Sequence, residues 1–137
     1  MAHIDTVHTI IEAWKTGDID TVLDQLADDV VYHFHVGSRP LEGRAHIRRF
    51  LEKFGAGQTE IAWRITRHVE AGDTLFVEGV DDYVNADGVR MRVPYAGVFE
   101  FENGKVLRWR DYVDSQAVED ARQGKAPPEW VEPLLGA

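Results

Sequence analysis

The chain has 137 residues, of which 44% are hydrophobic and 28% charged, and its 15 Lys and Arg against 24 Asp and Glu leave a formal net charge of −9. This predicts one self-folding domain, excludes disorder, and argues against a nucleic-acid binder, whose surface must be basic to displace counterions from phosphates. Cysteine is absent, which removes disulfides and thiolate chemistry, and neither a run of ~20 apolar residues nor a basic-then-apolar leader is seen, so a cytoplasmic location is expected.

Ile4, Val7, Ile10, Ile11 and Trp14 recur at helical spacing, with Gly17 placed to end that helix in a left-handed cap. Asp18 can cap a second helix with the stripe Ile19, Val22, Leu23 and Leu26, and the Asp28-Asp29 pair marks its exit. A strand is expected from Val30 to about Val36, then a loop at Gly37-Ser38-Arg39-Pro40. Ile47, Phe50, Leu51 and Phe54 define a third helix stopped by Gly55, and the basic Arg44–Arg49 stretch reads as its solvated face.

Beyond Glu60 the pattern changes to four extended stretches, Glu60–Glu70, Thr74–Val84, Val89–Glu102 and Lys105–Asp114. Ala71-Gly72-Asp73, Ala86-Asp87-Gly88 and Asn103-Gly104 separate them and predict antiparallel hairpins. Ser115–Gln123 reads as a last short helix before a Pro-containing tail, 124–137, that carries Trp130, Val131, Leu134 and Leu135. The order predicts an α+β fold, with helices packed on one side of a curved, mostly antiparallel sheet.

Alternation along the strands singles out two acids, because residues two apart share a face. Asp111 stands with Leu107, Trp109 and Val113, and Asp81 stands with Leu75, Val77, Gly79 and Tyr83. A carboxylate among apolar neighbours is costly to ionise, so two of them facing one cavity can divide into a proton donor and a proton acceptor. Structural hydrogen bonding to Tyr, Trp or Arg is the plainer alternative. Tyr32 shares a strand face with Phe34, which suits either a core position or a water-holding phenol, and Trp109 is placed to donate its indole hydrogen to Asp111. His33 and His35, two apart, lack a third ligand at useful spacing and are expected to point away from the core, so no metal is expected. His68 reads as structural. No phosphate loop or nucleophile elbow is present.

Gly17-Asp18-Ile19-Asp20, Ala27-Asp28-Asp29-Val30-Val31-Tyr32, Gly43-Arg44, Gly97-Val98-Phe99-Glu100 and Trp109-Arg110-Asp111-Tyr112-Val113-Asp114 together resemble the limonene-epoxide-hydrolase and SnoaL-like polyketide cyclase group of the nuclear transport factor 2 superfamily. The resemblance covers nearly all of the chain before the tail. It implies a single domain over 1–137, a cone of helices wrapped by a bent sheet around a deep apolar pocket, and a homodimer.

In limonene epoxide hydrolase one Asp activates water, another protonates the epoxide, and an Arg bridges them without metal or cofactor. By motif, Asp111 matches the base, Asp81 the acid and Tyr32 the water-binding Tyr. The family's bridging Arg is Gly79 here, its water-binding Asn is Phe34, and Arg64 on the preceding strand is the candidate to fill the place left at Gly79. Loss of a preorganised charge partner removes transition-state stabilisation. Ketosteroid isomerase is similar around Val36-Gly37-Ser38…Pro40, but its base, oxyanion Tyr and protonated Asp correspond to Phe34, Ile10 and Gly97, so that chemistry does not carry over.

The reading is therefore a cofactor-independent acid/base enzyme acting on a small apolar substrate, nearest to epoxide hydration. The expected pocket is lined by Ile11, Trp14, Phe34, Val93, Tyr95, Trp109, Val113 and Val118. The alternatives are a SnoaL-like cyclase, isomerase or dehydratase with Asp111 as base at a carbon acid, and a non-catalytic ligand-binding or dimerisation module.

Overall fold

A computed structural model describes residues 2–136. Helix α1 (His3–Lys15) buries Ile4, Val7, Ile10, Ile11, Ala13 and Trp14 along one side. Gly17 has φ 74°, and the Asp18 amide returns to the Ala13 carbonyl at 2.9 Å, which closes the helix end and reverses the chain. Asp18 then caps α2 (Ile19–Asp24), its Oδ1 accepting the Thr21 amide at 3.1 Å.

Strand β1 (Leu26–His33) begins four residues earlier than predicted, so Asp28 and Asp29 lie inside a strand and do not end α2. A register irregularity between Leu26 and Val31 interrupts alternation and lets two consecutive acids face solvent. The loop after β1 leads to a two-residue strand, β2 (Leu41–Glu42), and to α3 (Arg44–Gly55). α3 ends at Gly55, as expected. A Cβ there would fall 2.8 Å from the Trp14 ring, so its missing side chain lets α3 rest against α1. The Arg44–Arg49 stretch is paired with acids, Arg44 with Asp28 and Arg48 with Asp20 at 2.5 Å.

β3 (Arg64–Ala71), β4 (Thr74–Val84), β5 (Arg90–Glu102) and β6 (Lys105–Val113) form the predicted antiparallel meander. β1 joins β6 in parallel, which makes one mixed six-stranded sheet in the order β2-β1-β6-β5-β4-β3. The sheet is strongly curved and does not close. Its concave face packs on α1, α2 and α3 around Val7, Ile10, Leu75, Phe99 and Trp109.

α4 (Ser115–Arg122) crosses β5 after Asp114 caps it through the Gln116 amide. The segment expected to be a simple tail folds back instead. A short 3-10 turn at Glu129–Val131 leads into α5 (Glu132–Leu135), which packs on β4 and β5 and buries Leu135 completely. Among the described residues, no helix is long and apolar enough to cross a membrane.

Candidate functional site

A cavity of about 270 Å³ opens between the concave face of the sheet and α1, α3 and α4. Asp81 and Asp111 both line it. On the sheet Asp111 lies opposite Gly97 and Gly97 opposite Val77, whereas Asp81 lies opposite Val93. The acids are thus two strands and four residues apart, about 10 Å across and about 13 Å along in a flat sheet. Curvature turns both side chains toward one space.

Both oxygens of Asp111 have donors. Trp109 Nε1 donates to Oδ1 at 3.1 Å, and the Tyr32 hydroxyl donates to Oδ2 at 3.4 Å. Alternation puts Trp109 on Asp111's face, and the parallel β1–β6 pairing sets Tyr32 opposite Trp109, with their rings stacked at 4.1 Å.

Burial pushes the Asp111 carboxyl up to about 8, the Asp81 charge adds to that rise, and the hydrogen bonds from Trp109 and Tyr32 oppose it. Burial pushes Asp81 up to about 6, helped by neighbouring Asp82. Asp81 therefore ionises first, and its charge holds the remaining proton on Asp111. This order reverses the one the resemblance implies. Burial also drives Tyr32 well upward, so its phenol stays protonated and remains a donor.

Most of the expected lining is present: Trp14, Phe34, Val93, Tyr95, Trp109, Val113 and Val118 all border the cavity. Ile11 does not. It is buried in the core while Ile10 faces the cavity, a one-residue rotation about the helix axis that apolar periodicity leaves open. Arg64 does not reach the place left at Gly79 either. It pairs opposite Val80 on the outer face, donates to Asp82 Oδ2 at 3.1 Å and to the Leu135 carbonyl, and so lies behind the sheet.

Gly79 itself is enclosed. A Cβ on it would stand 2.4 Å from the Arg64 carbonyl oxygen and 3.0 Å from the Tyr95 ring, so no side chain fits there.

Other lining residues escaped the sequence reading. His35 borders the cavity although it was expected to point away, because β1 ends at His33 and alternation stops with it. Trp63, just before β3, donates to the Tyr95 hydroxyl at 2.6 Å; nothing local to the sequence marks it. Phe50 was legible as part of the α3 stripe, but its stacking on Phe34 at 4.6 Å needed the fold. Among the described residues, no three His, Asp or Glu side chains are grouped so that they could hold a metal ion.

The fold agrees with the chain's relatives. A family model described as a SnoaL-like domain matches residues 7–109. Epoxide hydrolase EphG of Mycobacterium tuberculosis is 30% identical over 108 residues, covering 79% of this chain and 70% of that protein. The structure of an M. tuberculosis LEH-like epoxide hydrolase superposes with a TM-score of 0.76 at 27% identity, over 87% of each chain. A Xanthomonas campestris protein provisionally assigned as a polyketide cyclase shares the fold, with a TM-score of 0.72 at 22% identity over 87% of this chain and 96% of its own. The chain belongs to the SnoaL-like domain family and has the nuclear transport factor 2-like fold, with epoxide hydrolases and a cyclase among its neighbours.

Proposed function

We propose that the protein hydrates a small apolar epoxide to a 1,2-diol by acid/base chemistry of the Asp81–Asp111 pair, without a cofactor. The observation that carries this reading is the convergence of two proton-raised carboxyls on one cavity, with Asp111 held by Trp109 and Tyr32. Between about pH 6 and 8 the pair carries one proton, which rests mainly on Asp111; the reaction starts from the less populated placement, with that proton moved to Asp81 and Asp111 ionised.

Asp111 is the base, since two donors on its oxygens stabilise the anion that removes a proton from water. The resulting hydroxide forms a C–O bond at one ring carbon while the ring C–O bond breaks. The departing oxygen takes the proton held by Asp81, and the proton on Asp111 returns to the pair's common pool after product leaves. Aromatic and aliphatic walls made by Trp14, Phe34, Val93 and Val118 favour a terpenoid-like ligand over a polar one.

The test is turnover of limonene-1,2-epoxide in ¹⁸O-water. One labelled oxygen in the diol is expected, with Asp111→Asn lowering kcat by about 10²–10⁴-fold. An isomer or cyclised product without label would favour the cyclase or isomerase reading, in which Asp111 alone acts at a carbon acid. The absence of a guanidinium at Gly79 is what keeps that second reading open. Binding without any turnover would favour a ligand-binding module.

A second copy of this chain is the partner we propose for the outer face of the sheet. There the register lines up Val69, Phe76 and Val98 across three strands, with Val69 66% and Phe76 51% exposed.

A further inference from the structure

The place where the family pattern puts a guanidinium is filled by a phenol. Tyr95 lies opposite Gly79 on β4, in the row of residues between Asp81's row and Asp111's row. Its ring lies down over two residues that lack side chains. A Cβ on Gly79 would be 3.0 Å from Tyr95 Cε1, and a Cβ on Gly97 would be 3.4 Å from Cε2 and 3.2 Å from Asp111 Oδ1. A side chain on Gly79 would press on the ring, whereas one on Gly97 would crowd Val77 and Asp111 and only touch it, so Gly79 above all leaves the ring its seat.

The Tyr95 hydroxyl is also aimed. Trp63 Nε1 donates to it at 2.6 Å, and an indole nitrogen can only donate, so the phenol's own hydrogen must point elsewhere. Among the hydrogen bonds of the described residues that hydrogen has no acceptor, although its residue lines the cavity with both acids. The cavity is the open direction for that hydrogen, and a ligand oxygen there would accept it. Burial and the nearby Asp111 charge keep the phenol far from ionising, which preserves the donor.

Building on the epoxide reading, we infer that Tyr95, oriented by Trp63, hydrogen-bonds the substrate oxygen from between the two carboxyls and takes over the substrate-polarising part of the absent guanidinium. An ether-type oxygen has two lone pairs, so it accepts from Tyr95 and from Asp81 together. Tyr95 thereby selects ligands with an acceptor oxygen at that point of the cavity.

Tyr95→Phe tests this, since it removes one oxygen and leaves the ring over Gly79 and Gly97. The probes are dihydrocarvone and limonene, which share a ten-carbon skeleton and differ by a carbonyl oxygen, each measured by displacement of a fluorescent apolar dye. The wild-type protein is expected to prefer dihydrocarvone, and Tyr95→Phe to cut that preference about three- to tenfold, the size of one neutral hydrogen bond, while limonene affinity stays the same. An unchanged preference in Tyr95→Phe, or no preference in the wild type, including by failure to bind either probe, overturns the inference. If the preference depends on Tyr95 but no epoxide yields a diol, the hydration reading fails and the assignment of Tyr95 stands.

Discussion

Asp111 shows how much one side chain's surroundings decide. Its carboxyl is raised to about 8, against an unfolded value near 3.9. Between these pH values the folded protein binds more protons than the unfolded one, so folding stability falls as pH rises from about 4 to about 8. Asp111→Asn removes this proton linkage. Its melting temperature, relative to wild type, should therefore increase on going from pH 5 to pH 8.5, and differential scanning calorimetry at both values measures the change. A parallel pH dependence in the two proteins would mean that Asp111 titrates like an exposed acid. Gly79 belongs to the same scale. The Arg64 carbonyl and the Tyr95 ring close its site, so restoring the family's Arg at that position is sterically excluded.

Among the elements, α5 has the clearest separable role. Leu135 is wholly buried against the side of β4 and β5 opposite the cavity, and Arg64 and Arg92 both donate to its carbonyl. Beneath that contact sits Asp82, 4% exposed, with Arg64, Arg90 and Arg92 around its carboxylate at 3.1, 2.9 and 3.4 Å. Arg64 and Arg92, which hold α5, both approach Asp82 Oδ2, so the cations that fix α5 also offset the buried charge of Asp82. Leu135→Ala should cost about 2–3 kcal/mol in urea unfolding, the cavity cost typical of a buried leucine. Because the sheet stands between α5 and the cavity, affinity for an apolar ligand should change by less than about twofold. A loss of ligand binding as large as the loss of stability would show that the two faces are coupled.

At the scale of the whole molecule, curvature turns one antiparallel meander into both a pocket and an outer face. The concave side collects Asp81, Asp111, Tyr32, Tyr95, Trp63 and Trp109, while the convex side presents Phe76 and Tyr112, 51% and 47% exposed. Light scattering on the purified protein should give twice the chain mass, and Phe76→Glu, which sets a charge in the apolar row with Val69 and Val98, should give the monomer. A wild-type monomer at micromolar concentration would remove the second copy as the partner of that face.

Local pattern sufficed wherever a local interaction settles the structure. The α1 stripe, the Asp18 cap and the Gly17 reversal were legible because they depend on neighbours within one or two turns. The β4–β5–β6 hairpins were legible because their turn residues accept the required φ, as Asn103 and Gly104 do at 52° and 77°. The placing of Asp81 and Asp111 on inward faces followed from alternation alone. Their convergence on one cavity did not, because side chains about 10 Å across and about 13 Å along a flat sheet face one space only when long-range packing bends it. The same holds for Tyr32, delivered by a parallel pairing of distant strands, for Arg64, drawn behind the sheet by Asp82, and for Trp63 over Tyr95. Residue type and spacing determine which chemistry the chain carries; the partners of each group, and so its protonation and its aim, are set by contacts between residues far apart in sequence.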